Sequence, residues 1–127
     1  MNVKVVDASA IAAVLFGEPD AATVVEQLTG RLVAPTLLHY EVASIAWKKI
    51  KRNPAQRGEF MAAFQLLGRM AMDITDVEHA EVLQLADATG LTAYDASYLW
   101  LTRKLNAELI TLDRRLADVA SAAPGTF

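Results

Sequence analysis

Apolar positions along the chain fall into two rhythms, short unbroken runs and longer stretches at helical spacing. The opening VKVVDAS (residues 3–9) is rich in β-branched side chains and predicts a short buried strand ending at Asp7. Ala8 to Phe16 follows as a helix, closed by Gly17 and Pro19. Asp20 is placed to cap a second helix through Leu28, with Gly30 as its stop. RLVA (31–34) predicts a second strand. Pro35 and Thr36 lead into a long helix over Leu37 to Lys51, which Asn53-Pro54 breaks, and a further helix runs to about Gly68. AMDIT (71–75) predicts a third strand. Asp76 is then read as the cap of a helix ending near Gly90, and Thr92 begins another that runs through Leu105. AELITL (107–112) predicts a fourth strand that meets Asp113, and a short helix starts at Arg114. Pro124 and Gly125 in SAAPGTF (121–127) oppose regular structure, so a loose end with no clear final strand is expected there.

The predicted order is β-α-α-β-α-α-β-α-α-β-α. Strands alternating with helices imply a mainly parallel sheet covered on both faces, and near-continuous apolar strands are what such a sheet requires. Ligands bind beyond the carboxyl ends of the strands in open sheets of this kind. Asp7 and Asp113 both stand at such an end.

A chain of 127 residues suits one domain and is long enough to bury a core without disulfide or metal support. Its 54% hydrophobic and 21% charged residues are those of a soluble globular protein. With no cysteine, disulfides and thiolate ligands are excluded, which fits a reducing cytoplasm. No signal-peptide pattern precedes Asp7, and the longest apolar run, Ala10 to Phe16, is far short of the roughly 20 residues that span a bilayer. The net charge of −3 argues weakly against nucleic-acid binding. Setting four of the 15 acids aside as ligands leaves 11 against 12 Lys and Arg, so bulk charge decides nothing and local placement must.

Four acids carry the chemical argument. Asp7 and Asp113 each follow an apolar strand and precede a helix, and helix capping accounts for either alone. Asp95 lies three residues after Thr92, a spacing that resembles a capping box. Glu41 shares its helix face with Leu37, Leu38, Ser44 and Ile45, an inward-facing ridge on which a carboxylate needs a partner. Lys48, two turns on, is one option and a functional site is the other. Taken together the four point to one rim, because strand carboxyl ends and the amino ends of the following helices lie on the same side of the sheet. Four carboxylates gathered there repel, and either a bound proton or a divalent cation relieves the repulsion. All-oxygen donors without a Cys or His cluster suit Mg²⁺ or Mn²⁺ better than Zn²⁺.

VVDASAI (5–11), LLHYEVASIAW (37–47), LTAYDASYLWLT (91–102) and LITLDRRL (109–116) together resemble the four acidic motifs of the PIN domain, in order and in strand or helix setting, over nearly the whole chain. More narrowly, the chain resembles the VapC toxins of prokaryotic toxin–antitoxin pairs. That resemblance implies a three-layer α/β/α sandwich around a central, mainly parallel sheet. It implies an endoribonuclease dependent on Mg²⁺ or Mn²⁺, leaving 5′-phosphate and 3′-hydroxyl ends. Asp7, Glu41, Asp95 and Asp113 would be both its catalytic and its metal-binding residues. Its partners would be an RNA substrate, a cognate VapB-like antitoxin and a second copy of the chain in a homodimer, with no membrane. Ser9 and Thr111 are hydroxyls beside the expected site, and Arg114 is a candidate contact to substrate phosphate.

Other residues have plainer readings. KKIKR (48–52) reads as a solvated helix end, Lys48 excepted. His39 and His79 lack ligand spacing. Trp47, Trp100, Tyr94 and Tyr98 could stack on bases, although aromatics at helical spacing more often fill a core or a dimer contact. Two rival functions stand beside the nuclease. A phosphotransfer domain or aspartyl-phosphate phosphatase would want a second acid near Asp7, where Ser9 stands, or a lysine on a late strand. A catalytically silent PIN-fold binding module would not need all four acids.

Overall fold

The computed structural model describes residues 2–122. Pro124 and Gly125, and with them the expected loose end, lie outside the described residues. Four strands, β1 (Val3–Val6), β2 (Arg31–Pro35), β3 (Asp73–Thr75) and β4 (Glu108–Ile110), form one sheet in the order β3-β2-β1-β4. Every pairing is parallel, with Val5 opposite Val33 on one side and Leu109 on the other.

The connections carry α1 (Ala8–Leu15), α2 (Ala21–Gln27), α3 (Leu38–Arg52), α4 (Arg57–Gln65), α5 (His79–Thr89) and α6 (Ala93–Lys104), and α7 (Arg114–Ser121) follows β4. From β1 to β2 to β3 the chain steps one way across the sheet, and from β3 it returns past both to β4. Right-handed crossovers then put α1 to α4 on one face and α5 and α6 on the other, which makes the sandwich three layers deep. The contacts agree: α1 touches α2 and α3, α3 touches α4, and α6 lies against α5, β1, β2 and β4.

The β1 run is apolar because the strand is central and covered twice. Val5 and Val6 are wholly buried, among Ile11, Leu38, Val42, Tyr98, Leu99 and Leu116. Lys4 is buried in the same strand. Its ammonium donates to the Gln27 carbonyl at 2.6 Å and to Thr29 Oγ1 at 3.0 Å, so it neutralises the carbonyl end of α2.

Several boundaries differ from the sequence reading for local reasons. Glu78, not Asp76, caps α5, since it is the extended residue immediately before the helix and its carboxylate accepts from the Ala80 and Glu81 N–H groups. Asp20 holds the cap position of α2 without a side-chain bond, because its backbone is already helical at φ −84°, ψ 0°. The 54–68 stretch is α4 between two 3₁₀ turns, Pro54–Gln56 and Leu66–Arg69. β3 starts at Asp73, an edge position where Asp73 pairs with Arg31 at 2.6 Å. β4 stops at Ile110, which releases Thr111 to turn toward β1.

Candidate active site

β1 and β4 are neighbours whose connections leave toward opposite faces, so a crevice opens beyond their carboxyl ends. Asp7 stands at its floor. Its N–H donates to the Ile110 carbonyl at 3.1 Å, extending the ladder by one bond past the strands. An extended backbone (φ −93°, ψ 173°) makes it the cap of α1, with Oδ1 accepting from the Ala10 N–H at 3.1 Å. The Ser9 hydroxyl donates to the same oxygen at 2.7 Å, and the Thr111 hydroxyl donates to Oδ2. Those hydroxyls are themselves fixed: Ser9 Oγ accepts from the Leu112 N–H and Thr111 Oγ1 from the Asp113 N–H, each at 2.9 Å. Asp113 caps α7 through a 3.0 Å bond from the Leu116 N–H to Oδ1. The capping reading of both aspartates is therefore correct, and it coexists with their convergence.

Helices from the two outer layers bring the other acids. Glu41 projects from the first turn of α3, where Leu38 and Val42 are buried, and the phenolic O–H of Tyr98 donates to its Oε1 at 2.6 Å. Tyr98 is 1% exposed, so this bond also satisfies a hydroxyl that burial would otherwise strand. Asp95 lies in the first turn of α6, its backbone N–H bonded to the capping hydroxyl of Thr92 at 3.1 Å. Asp7, Glu41, Asp95 and Asp113 all line one cavity of 450 Å³.

The acids feel one another. Burial first, and the Asp113 charge after it, raise the Asp7 pKa against the lowering effect of the Thr111, Ser9 and Ala10 bonds. Burial raises Glu41 too, with Asp95 and Asp7 adding to the shift while the Tyr98 bond opposes it. Asp95 is raised by burial and then by Asp113 and Asp7, with the Arg115 guanidinium opposing. Among the described residues, no three acidic, histidine or cysteine side chains close on a common point as a ready-made cage. The donor set still fits Mg²⁺ or Mn²⁺, since Mg²⁺ usually takes one or two carboxylates and keeps several waters.

The remaining sequence candidates divide. Ser9 lines the cavity, whereas Thr111 stands behind Asp7. Arg114 opens α7 exposed and outside the lining, while Arg115 donates to the Gly90 carbonyl at 2.8 Å and is the cation that acts on Asp95. Lys48 lines the cavity, and no Lys48–Glu41 ion pair forms among the described residues. Lys49 instead pairs with Glu18 at 2.9 Å and Lys51 lies over the Trp47 ring, the plain roles expected of that run. His39 and His79 are exposed and do not line the cavity. Sequence reasoning missed the bond from Tyr98 to Glu41. Its only signal was an aromatic one turn after Asp95, which core packing explains equally well.

The PIN-domain family model matches residues 4–122. The chain belongs to the PIN-domain family. This PIN domain is 37% identical to ribonuclease VapC3 of Pyrobaculum aerophilum, over 90% of this chain and 92% of that protein. It is 33% identical to ribonuclease VapC9 of Mycobacterium tuberculosis, over 93% of this chain and 91% of that one. Among solved structures, PAE2754 from Pyrobaculum aerophilum superposes on the PIN domain with a TM-score of 0.78 at 25% identity, over 96% of this chain and 87% of that one. Mycobacterium tuberculosis VapC20, a sarcin-ricin loop cleaving toxin, shares the fold with a TM-score of 0.65 at 14% identity, over 91% and 94% of the two chains. Among the described residues of the PIN domain, no helix is long and apolar enough to cross a membrane.

Proposed function

We propose that this PIN domain is an endoribonuclease and the toxin of a VapBC-type pair. RNA is its substrate, Mg²⁺ or Mn²⁺ its cofactor, a VapB-like antitoxin its regulator, and a homodimer its assembly. The observation that carries the reading is the convergence of Asp7, Glu41, Asp95 and Asp113, distant in sequence, on one cavity at the switch point of the sheet. The ribonuclease names of the VapC3 and VapC9 relatives support RNA as the substrate.

Asp7, Glu41 and Asp95 would hold the metal ion directly or through water, with Asp113 completing the cluster. Such an ion, when bound, neutralises charge on a phosphoryl group and makes a coordinated water more acidic. The protein supplies orientation. Ser9, Thr111 and the Ala10 N–H fix both oxygens of Asp7, and Tyr98 fixes one oxygen of Glu41. Asp113, with Oδ1 engaged by Leu116, has Oδ2 open toward a water or a leaving oxygen. Arg114, exposed beside Asp113, would contact a phosphate outside the cavity.

Cleavage of an RNA oligonucleotide with Mn²⁺ or Mg²⁺, abolished in Asp7→Asn while that variant stays folded, is the expected result. Full activity in Asp7→Asn, or no cleavage with either ion, would defeat the assignment. Incubation with an acyl-phosphate donor is expected to leave the protein unmodified, whereas a stable phosphoprotein would favour the phosphotransfer reading.

A further inference from the structure

We propose that Tyr40, Tyr94 and Lys48 are the strand-positioning residues of this cavity, binding an unpaired RNA segment by stacking its bases and engaging one of its phosphates. The inference rests on the nuclease reading and adds to it the residues that select single-stranded substrate.

Both tyrosines line the acidic cavity, yet their side chains stay in solvent, 82% exposed at Tyr40 and 63% at Tyr94. Tyr98, which also lines it, is buried and committed to Glu41. The two exposed rings come from different layers, Tyr40 from α3 and Tyr94 from α6, so they flank the acids from two walls. Along α3 the cavity residues Tyr40, Ser44 and Lys48 recur every fourth position, which aligns them on one face over about 12 Å of helix axis. A ring stands at one end of that stripe and an ammonium at the other. Lys49 and Lys51 of the same basic run are held by Glu18 and Trp47, whereas Lys48 is turned to the cavity.

The carboxylates themselves repel phosphate, so affinity for a strand has to come from groups around them. An exposed ring offers a face to any base, but only to a base that has left its own stack, and a single lysine offers a point charge to the backbone. A duplex presents no free base faces to such rings.

The test uses the full chain with Mg²⁺ and a fluorescent unpaired RNA oligonucleotide, beside the same sequence annealed to its complement. In steady-state cleavage, Tyr40→Ala and Tyr94→Ala are each expected to raise KM about tenfold, the loss of one base stack, with kcat within about twofold. Tyr40→Phe and Tyr94→Phe, which keep the ring, should restore KM. Equilibrium binding in an Asp7→Asn background, which is expected to leave the RNA uncut, should weaken to the same extent in the alanine variants. Lys48→Gln is expected to reduce the slope of log affinity against log salt by about 0.7, one single-strand phosphate. Alanine variants that bind and cleave like the unmodified protein would overturn the proposal, whatever else those rings contact. So would equal binding of the duplex. If the unmodified protein cleaves no RNA, the nuclease reading itself fails and this inference falls with it.

Discussion

At the carboxyl ends of β1 and β4, two strands lie side by side and each passes through an aspartate into a helix, Asp7 into α1 and Asp113 into α7. Both aspartates cap the helix that follows. Asp7 is 4% exposed and both its oxygens are occupied, by two hydroxyls and a backbone N–H. Asp113 is half-buried, and one oxygen carries its capping bond. One local grammar thus yields a locked carboxylate and an open one. The difference comes from the neighbours: Ser9 and Thr111 are both directed at Asp7, and Asp113 contributes its N–H to holding Thr111 there. Asp7 is thus held at both oxygens, and Asp113 through its capping oxygen alone.

The comparison breaks most sharply by substitution at the two ends. Asp7→Asn should lower RNA cleavage by more than about 100-fold, beyond the usual cost of losing a supporting contact, while retaining the α1 cap. Asp113→Asn should cost only about tenfold. Equal losses in single-turnover cleavage would mean that the locked and open carboxylates do the same work.

Thr111→Val tests whether locking matters. It keeps the shape and removes the donor to Asp7 Oδ2, and the expected loss is about 10-fold to 100-fold in activity or metal affinity, read by Mg²⁺ titration. Tyr98→Phe makes the matching change at Glu41. There the expected cost is about 1.5–3 kcal/mol in chemical denaturation at neutral pH, the range for a hydrogen bond to a charged group. A variant as stable as the parent would show that Glu41 does not depend on the phenol.

The smallest expected effect is in pH dependence without metal. Asp7, Glu41 and Asp95 have raised pKa values in the folded state, so between the ordinary carboxylate range and those raised values the folded chain binds more protons than the unfolded one. Their contribution to stability is therefore full below the ordinary range and is lost as pH rises through the raised values. Metal-free melting temperature should fall as pH rises above the ordinary carboxylate range, against the trend of most acid-sensitive proteins. Mg²⁺ should restore it at neutral pH, and Asp95→Asn should flatten the fall. A metal-free melting temperature that rises with pH there would contradict the burial and mutual repulsion of these acids.

Most of the frame was legible in the sequence, because it follows from local rules. Apolar runs identified the four strands, and glycine, proline and capping residues marked most helix ends. The placement of Asp7 and Asp113 at strand ends followed directly. What escaped depends on contacts between distant residues or on backbone angles. Glu41 could be assigned a need for a partner, but Tyr98, 57 residues on, outcompeted the nearby Lys48 for reasons of burial that no spacing reveals. Thr111 reaches Asp7 across 104 residues. Glu78 displaced Asp76 as a cap because the chain stays extended two residues longer than the turn-forming sequence suggests. Between Arg114 and Arg115, adjacent and chemically identical, only the turn of α7 decides which one acts on Asp95.

The hydrogen bond from the Asp7 N–H to the Ile110 carbonyl joins the first strand to the last one among the described residues. During synthesis Asp7, Glu41 and Asp95 emerge long before Thr111 and Asp113. A growing chain therefore carries three of its acids with the wall formed by β4 still missing, and Asp7 lacks the Thr111 hydroxyl that steadies it. Completion of the acidic cavity is therefore deferred until residue 113 has been synthesised.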